Sequence, residues 1–412
     1  MTDTIDSILT SLQHFGVHLG LDRIRKLLAG LGNPQQEFPI IHIAGSNGKG
    51  SVCAYFSSVL TAAGYRVGCY TSPHLVDWTE RICVNGKAIA KTELERILKQ
   101  VKAAIAVKAE SPTQFEVITA AAWLYFAQQS VDIAVIEVGL GGRLDATNVC
   151  DKPALTAITS ISLEHWQVLG PTVADIAREK AGILKHNCPV VVGQLPPEAE
   201  AVVRERIVAV NCPAVWVAPA RKMGEHRAEY GGIEYSLSLL GEFQLMNSAI
   251  AIAGLQILQQ QGWKIPLTAI QAGMANARWL GRLQWTRWQG RSILLDGAHN
   301  PAAAIALRQY VNTLDSPVTW VMGILSTKDR ADIFAALLRP GDRLYLVPVP
   351  NPDSAPPEAL AVIARATCPD VVVQTFPDLF SGLNVAIEGD LPVILCGSLY
   401  LVGYFLQKHA RG

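Results

Sequence analysis

A hydrophobic run, Ile40-Ile41-His42-Ile43-Ala44, leads straight into Gly45-Ser46-Asn47-Gly48-Lys49-Gly50-Ser51, and helix-forming residues follow from Val52 to Ala63. Glycines let a backbone turn tightly and aim its N–H groups at an anion. The N-terminus of the next helix adds partial positive charge, and Lys49 adds a full one. The Ser51 hydroxyl can cap that helix or touch a nucleotide-bound cation. This is a phosphate-binding pattern resting on Gly48, Lys49, Gly50 and Ser51. It departs from the strict form G-x-x-x-x-G-K-[ST], because Ile43 stands where glycine is needed and Gly50 separates Lys49 from Ser51. A glycine-rich turn with an exposed lysine is the plainer alternative; the strand–loop–helix order favours phosphate.

Other residues of the right type lie near strand ends. Glu137 closes the apolar run VDIAVIE and precedes a glycine-rich turn, a place where a carboxylate suits a hard cation such as Mg²⁺ or caps the turn. Ser72, in TSPHL after the strand Val67–Tyr70, signals only a turn, and His74 beside it stays unassigned. His165 follows ALTAITSI, but imidazole is an uncommon Mg²⁺ ligand, so a loop histidine is the simpler reading. Lys180 falls in a helix opening near Pro171–Thr172 and running to Leu184, where it reads as a solvated lysine beside Glu179. Asn247 opens the helical stretch NSAIAIAGLQIL, so it has the place of a cap. Asp296 ends the strand SILLD, and Phe115 is a core residue or a platform for a flat ring.

A scaffold must bring these strand ends together. Phe38–Ala44, Asp132–Val138, Ala154–Thr159 and Pro189–Val192 read as buried strands, separated by helices over Val52–Ala63, Thr92–Val107 and Glu116–Gln129. Such alternation predicts a parallel, doubly wound sheet whose ligands gather at the carboxyl ends of its strands. A second series begins after Gly281, with strands over Ser292–Asp296, Val318–Gly323, Arg343–Val347, Val371–Val373 and Pro392–Cys396, and helices over Ala302–Leu314 and Pro356–Ala366. Asn276–Gly281 is the candidate hinge. The expected fold is therefore α/β in two domains: a larger N-terminal phosphate-loop parallel-sheet domain, 1–280, and a smaller C-terminal α/β domain, 281–412.

Composition narrows the partners. Lys plus Arg and Asp plus Glu number 35 each, without the basic excess of a nucleic-acid or anionic-membrane binder. The N-terminus lacks a basic-then-apolar signal, and no apolar run approaches the roughly 18 residues of a membrane span. The eight scattered cysteines lack paired metal-ligand spacing and are expected to be reduced, in a cytoplasmic protein.

The variant loop G-[ST]-N-G-K-G-S resembles the nucleotide loop of folylpolyglutamate synthase/dihydrofolate synthase, within the wider Mur ligase superfamily. The rest of the chain carries the likeness in the same order: LGLDRI (Leu19–Ile24), TSPHL (Thr71–Leu75), Phe115-Glu116, EVGLGGRLDATN (Glu137–Asn148), REKAGI (Arg178–Ile183), Gly281-Arg282, DGAHNP (Asp296–Pro301) and GSLYLVG (Gly397–Gly403). The resemblance implies an ATP-dependent ligase that activates a carboxylate as an acyl phosphate, which the amine of L-glutamate then attacks. It implies ATP contacts at Gly48, Lys49, Gly50, Ser51, Asn247, Arg282 and Asp296, with His299 as a further neighbour. One or two Mg²⁺ ions are implied at Ser72, Glu137, His165 and a carbamylated Lys180. Pteroate contacts are implied at Val17, His18, Leu19, Gly20, Thr113, Gln114, Phe115, Glu116, Leu144, Asp145 and Ala146. Catalytic work then falls to Lys49, Lys180, His165 and Arg282. The partners implied are dihydropteroate or folate and L-glutamate, for a chain expected to act as a monomer.

One departure is Glu164-His165-Trp166, where the family shows an Asp-His pair. Competing readings are a peptidoglycan-type Mur ligase, a small-molecule kinase and a non-catalytic nucleotide module. Only about 38 residues precede the phosphate-loop strand, too few for the extra nucleotide-sugar domain of the first. The set of candidate metal ligands speaks against the last.

Overall fold

The structure, a computed structural model, describes residues 5–10, 19–105 and 110–409. It divides into two compact units: Met1–Ser238 with Gln244–Arg278, and Leu239–Phe243 with Trp279–Gly412.

The first unit is organised by strands β1 (Ile40–Ala44), β2 (Val67–Tyr70), β3 (Ile82–Val84), β4 (Lys87–Ala88), β5 (Ile133–Glu137), β6 (Leu155–Ile158), β7 (Val190–Val192) and β8 (Ala214–Trp216), in the order β4-β3-β2-β5-β1-β6-β7-β8. The six from β2 to β8 in that order run parallel, while β3 and β4 pair antiparallel at one edge. Every residue of β1, β2, β5, β6 and β7 is buried, which is why these strands are mostly apolar, with no regular polar alternation, only single polar residues such as His42 and Thr156. Ile40, Tyr70, Ala134 and Ile136 share a core with the helices Asp22–Gly30, Lys91–Ala103 and Gln114–Gln128. Ala44, Val138 and Ile158 share another with the helices Val173–Ala181 and Pro197–Ala209. A parallel sheet on central strand β1 thus gathers the ends of β2, β5, β1 and β6, as expected.

The helix after β1 spans Lys49–Ala62, three residues earlier at its start than the apolar pattern suggests, because Gly48 (φ 87°) is its cap. Val107 of the predicted helix Thr92–Val107 lies outside the described residues. Asn247 is not a cap, since the helix there begins at Phe243 and runs to Gln260. Sequence periodicity also passes over β9 (Arg221–Gly224), β10 (Arg227–Tyr230) and β11 (Ile233–Ser236), a separate antiparallel sheet in order β11-β10-β9. All of β9 is exposed, so no apolar alternation marks it.

The second unit holds β12 (Gln284–Trp288), β13 (Arg291–Leu295), β14 (Thr319–Met322), β15 (Arg343–Leu346), β16 (Val372–Thr375) and β17 (Val393–Cys396), in order β12-β13-β17-β14-β15-β16 with β12 alone antiparallel. Its core encloses a buried ion pair, Arg308 to Asp342 at 2.7 Å, and Asp342 also accepts from Trp320 Nε1 at 3.0 Å. Those added donors are what make a buried charge pair tolerable.

Candidate active site

Gly45 to Gly48 bend out of β1 and are tied to the segment that leaves β6. The Ser46 amide donates to the Ser160 carbonyl (2.7 Å), and the Asn47 amide to Ser160 Oγ (3.1 Å). Asn47 O in turn accepts from Thr159 Oγ1 (2.6 Å) and Ser160 Oγ (3.0 Å). A side chain at Gly45 would collide with Thr159 Oγ1 at 1.9 Å, so glycine is required there. Asn247 lies over the loop: a Cβ on Gly48 would meet Asn247 Oδ1 at 2.4 Å. The buried hydroxyl of Ser51 accepts from Gln244 Nε2 (3.1 Å), whose Oε1 accepts from Asn247 Nδ2 (3.0 Å). Lys49, Gly48, Gly50, Ser51 and Asn247 are thus brought together. Lys49 is not the exposed lysine of a plain glycine-rich turn. Half-buried, it donates to the carbonyls of Gly45 (2.9 Å) and Ser46 (3.3 Å), spanning the hollow of its own loop.

Lys180 is not a solvated helix residue. It is buried, and its ammonium donates to the same Gly45 carbonyl (2.9 Å) and to Glu164 Oε1 (2.8 Å). Burial pushes the Glu164 carboxyl up, but the Lys180 and Lys49 charges outweigh it and hold the group down to about 2. Burial draws Lys180 below the usual lysine range, against the pull of Glu164. His165 is exposed, with left-handed backbone (φ 46°), and its charge acts on Glu164.

Glu137 lies level with Ile43 of the phosphate-loop strand and accepts from the Ser72 amide through Oε2 (3.1 Å). Carboxylate and hydroxyl oxygens from adjacent strand ends fit a hard cation, with phosphate and water oxygens filling its remaining positions. The second pair fits less well. An ammonium engaged by Glu164 repels a cation, so His165 and Lys180 as they stand do not form a metal site. Among the described residues no three His, Cys, Asp or Glu side chains cluster as a metal centre.

Of the acceptor candidates, Val17 and His18 lie outside the described residues. Gly20 and Leu144 are joined by a backbone bond (3.4 Å), and Phe115 packs on Gly139, where a Cβ would sit 2.3 Å from its ring. Thr113 and Glu116 form a reciprocal helix cap, and Glu116 also accepts from Arg23 Nε (3.1 Å). Gln114 donates to the Leu9 carbonyl (3.3 Å). Asp145 is occupied by its own loop: Leu140 N (2.8 Å), Thr147 N (3.0 Å) and Thr147 Oγ1 (2.5 Å) all donate to it. These polar side chains are taken up in building the segment; Leu19, Gly20, Phe115 and Leu144 are half-buried, whereas Ala146 is buried in the core.

Within the second unit, Asp296 accepts from the amides of Leu283 (2.9 Å) and Ala298 (2.8 Å). Burial raises its carboxyl while the Arg282 charge lowers it. A Cβ on Gly297 would lie 2.8 Å from the Arg282 guanidinium, and His299 Nδ1 donates to the Gly297 carbonyl (2.8 Å). The loop after β13 therefore gathers Arg282, Asp296 and His299.

Residues 43–255 match the Mur ligase middle domain, and residues 282–408 match the C-terminal domain of dihydrofolate synthetase. The dihydrofolate synthetase of Saccharomyces cerevisiae is 36% identical, over 95% of this chain and 98% of its own. The chain belongs to the dihydrofolate synthase/folylpolyglutamate synthase family. Among solved structures, Escherichia coli FolC in complex with DHPP and ADP has a TM-score of 0.87 at 29% identity, covering 98% of this chain and 97% of that one. A bifunctional folylpolyglutamate synthase/dihydrofolate synthase with Mn, AMPPNP and L-glutamate bound gives 0.86 at 30% identity, covering 99% and 98%.

For a dihydrofolate synthase/folylpolyglutamate synthase chain, four features here escaped motif reading. Gln244 supports Ser51, and Glu164 binds Lys180. The hydroxyl run Thr159-Ser160-Ile161-Ser162 braces the phosphate loop, and a polar cluster straight after a buried strand was its visible signal. His42 leaves no signal at all, being one polar residue inside an apolar strand.

Proposed function

We propose that this chain is an ATP-dependent ligase that adds L-glutamate to dihydropteroate and to folate (poly)glutamates, releasing ADP and phosphate. The observation that carries the reading is that the phosphate loop with Lys49 leaves β1 beside the end of β5, where the Glu137 carboxylate accepts from the Ser72 amide after β2. A carboxylate cannot expel oxide, so it must first be phosphorylated, and two anions must then be held close together. The helix N-terminus at Lys49 and the lysine amine bind the phosphates, the amine turning from the Gly45 and Ser46 carbonyls to them. Glu137 and Ser72 would hold Mg²⁺, which would supply charge neutralisation for the anions. The Gly20–Leu144 edge and the Phe115 face receive the acceptor's flat ring. Arg282, Asp296, His299 and Asn247 are assigned to ATP. A relative bound to DHPP and ADP, and another to Mn, AMPPNP and L-glutamate, support small-molecule substrates, a nucleotide and a divalent ion.

Lys180 is assigned as a carbamate, which turns a repelling ammonium into an anionic oxygen ligand for a second ion. Its burial favours the neutral amine this requires. Glu164 works against it, so Glu164→Gln is expected to raise carbamate occupancy, read by NMR with ¹³C-bicarbonate; no carbamate signal in either protein removes the assignment. A monomeric, cytoplasmic enzyme is proposed, consistent with eight free thiols and with no helix among the described residues long and apolar enough to cross a membrane. The function itself is tested by ATP-dependent incorporation of radiolabelled glutamate, comparing dihydropteroate with a reduced folate monoglutamate. Incorporation with ADP and free phosphate is expected. A phosphorylated acceptor with no glutamate would make the protein a kinase.

A further inference from the structure

His42 contacts neither the phosphate loop's hydroxyl braces nor any acceptor candidate directly, yet its ring ends a chain of hydrogen bonds that reaches one. Its Nε2 lies 2.9 Å from Thr147 Oγ1, and Thr147 Oγ1 lies 2.5 Å from Asp145 Oδ1. All three side chains are buried, at 1%, 0% and 3% exposure. Burial raises the Asp145 carboxyl, and the bonds donated by Thr147 and the Leu140 amide favour its ionised form; an ionised carboxylate only accepts, so the single hydroxyl proton of Thr147 goes to Asp145. Toward His42 the hydroxyl oxygen must then accept, which puts the imidazole proton on Nε2. Burial, aided by the nearby Lys185 charge, pushes His42 down to about 3, so the ring is neutral and keeps that arrangement.

The two ends of this chain lie in different kinds of structure. His42 sits mid-strand in β1, hydrogen-bonded on both sides by β5 and β6. Thr147 and Asp145 belong to the irregular segment between β5 and β6, which is held by turn bonds such as Asn148 N to Asp145 O (2.8 Å) and by Asn148 Nδ2 donating to the Gly182 carbonyl (3.2 Å), with no sheet ladder. That segment carries Leu144, whose carbonyl accepts from Gly20, and Arg143, whose amide donates to Glu179 O at 2.7 Å. The phosphate loop, by contrast, takes its bracing from Thr159, Ser160 and Ser162.

We propose that His42 is a positioning residue: through Thr147 and Asp145 it anchors the segment 140–148 to the central strand and so sets the Gly20–Leu144 edge on which the acceptor sits, the acceptor site being the one assigned above. Thr147→Val keeps the shape and removes the hydroxyl, leaving a buried N–H and a buried carboxylate oxygen each short of a partner. Its expected signature is about a tenfold rise in KM for dihydropteroate, the scale of one buried hydrogen bond, with KM for ATP unchanged. Thr147→Ser restores the hydroxyl and is expected to restore the acceptor KM. His42→Gln keeps an N–H at similar reach and should behave as wild type, while His42→Leu should behave as Thr147→Val.

Nitrogen-15 NMR of the imidazole supplies a readout that packing alone would not move, with the proton expected on Nε2. Equal rises in both KM values, failure of Thr147→Ser to restore binding, or a proton on Nδ1 would each overturn the assignment. If the wild-type enzyme ligates neither acceptor, it is the acceptor assignment that fails, since the NMR result reports on the hydrogen-bond chain whatever the substrate.

Discussion

Lys49 and Glu137 make opposite kinds of contact, and their substitutions should separate accordingly. The Lys49 amine bonds only two loop carbonyls among its hydrogen bonds described above, and it is half-buried, so Lys49→Ala removes little packing. Turnover is expected to fall roughly a hundred- to a thousandfold, the scale of losing one charged transition-state partner, while the melting temperature stays close to wild type. Retention of most of the rate would refute the role. Glu137→Gln preserves an oxygen for the Ser72 amide but loses the anion that a hard cation prefers. The Mg²⁺ concentration needed for half-maximal ATP use should therefore rise steeply, and a collapse of the melting temperature instead would make Glu137 structural. His42 leaves a mark on pH dependence. Its folded value is about 3 against an ordinary 6.5, so as pH falls below 6.5 the unfolded chain binds a proton that the folded chain refuses. Stability contributed at neutral pH is thus lost on acidification toward 3. Between about pH 6.5 and 4.5, above the range where carboxylates such as Glu164 titrate, the melting temperature of His42→Gln should fall less than that of wild type. Motif residues were legible in the sequence because their spacing is local. The partners of Lys49 and Lys180 were not, because they are backbone carbonyls that carry no residue signal or, for Lys180, a side chain sixteen positions away.

At the scale of elements, the glycines of Gly139–Gly142 explain how a loop and a helix are joined. A Cβ on Gly142 would lie 2.7 Å from the Glu179 carbonyl and 3.1 Å from Lys180 Cα, and one on Gly182 would lie 2.3 Å from Arg143 Cβ. The loop therefore packs backbone to backbone on the helix Val173–Ala181 that carries Lys180. Gly142→Ala is expected to push that helix away, lowering both the melting temperature and turnover. Gly86→Ala serves as a contrast: unlike Gly142 it sits at positive φ (72°), but it has nothing within 4 Å, so it should lower stability alone. An activity loss no greater for Gly142→Ala than for Gly86→Ala would contradict this coupling. The fully buried parallel strands were legible because burial on both faces leaves nearly continuous apolar runs. The sheet β9–β11 was not, because residues such as Arg221, Lys222, Glu229 and Glu234 lie on its solvated surface and mask any alternation.

For the molecule as a whole, the division differs from a single cut at Gly281. The chain enters the second unit for Leu239–Phe243, returns to the first at Gln244, and leaves it again after Arg278. The last crossing falls inside the candidate hinge Asn276–Gly281, whereas the earlier excursion has no sequence signal, since Leu240 and Phe243 are ordinary apolar residues that join the second unit's core. Gly281 has φ 69°, and its amide donates to Gln284 Oε1 at 2.8 Å, so proline there would break a local turn and would not report on bending. The central claim concerns chemistry, namely that ATP activates the acceptor's carboxylate before glutamate attacks. The most direct measurement uses an acceptor whose carboxylate oxygens are ¹⁸O, with mass analysis of the released phosphate. Ligation through an acyl phosphate predicts one ¹⁸O transferred to inorganic phosphate for each amide formed, in a reaction that also requires glutamate for turnover. Amide formation with unlabelled phosphate, or label retained on a phosphorylated acceptor, would contradict it.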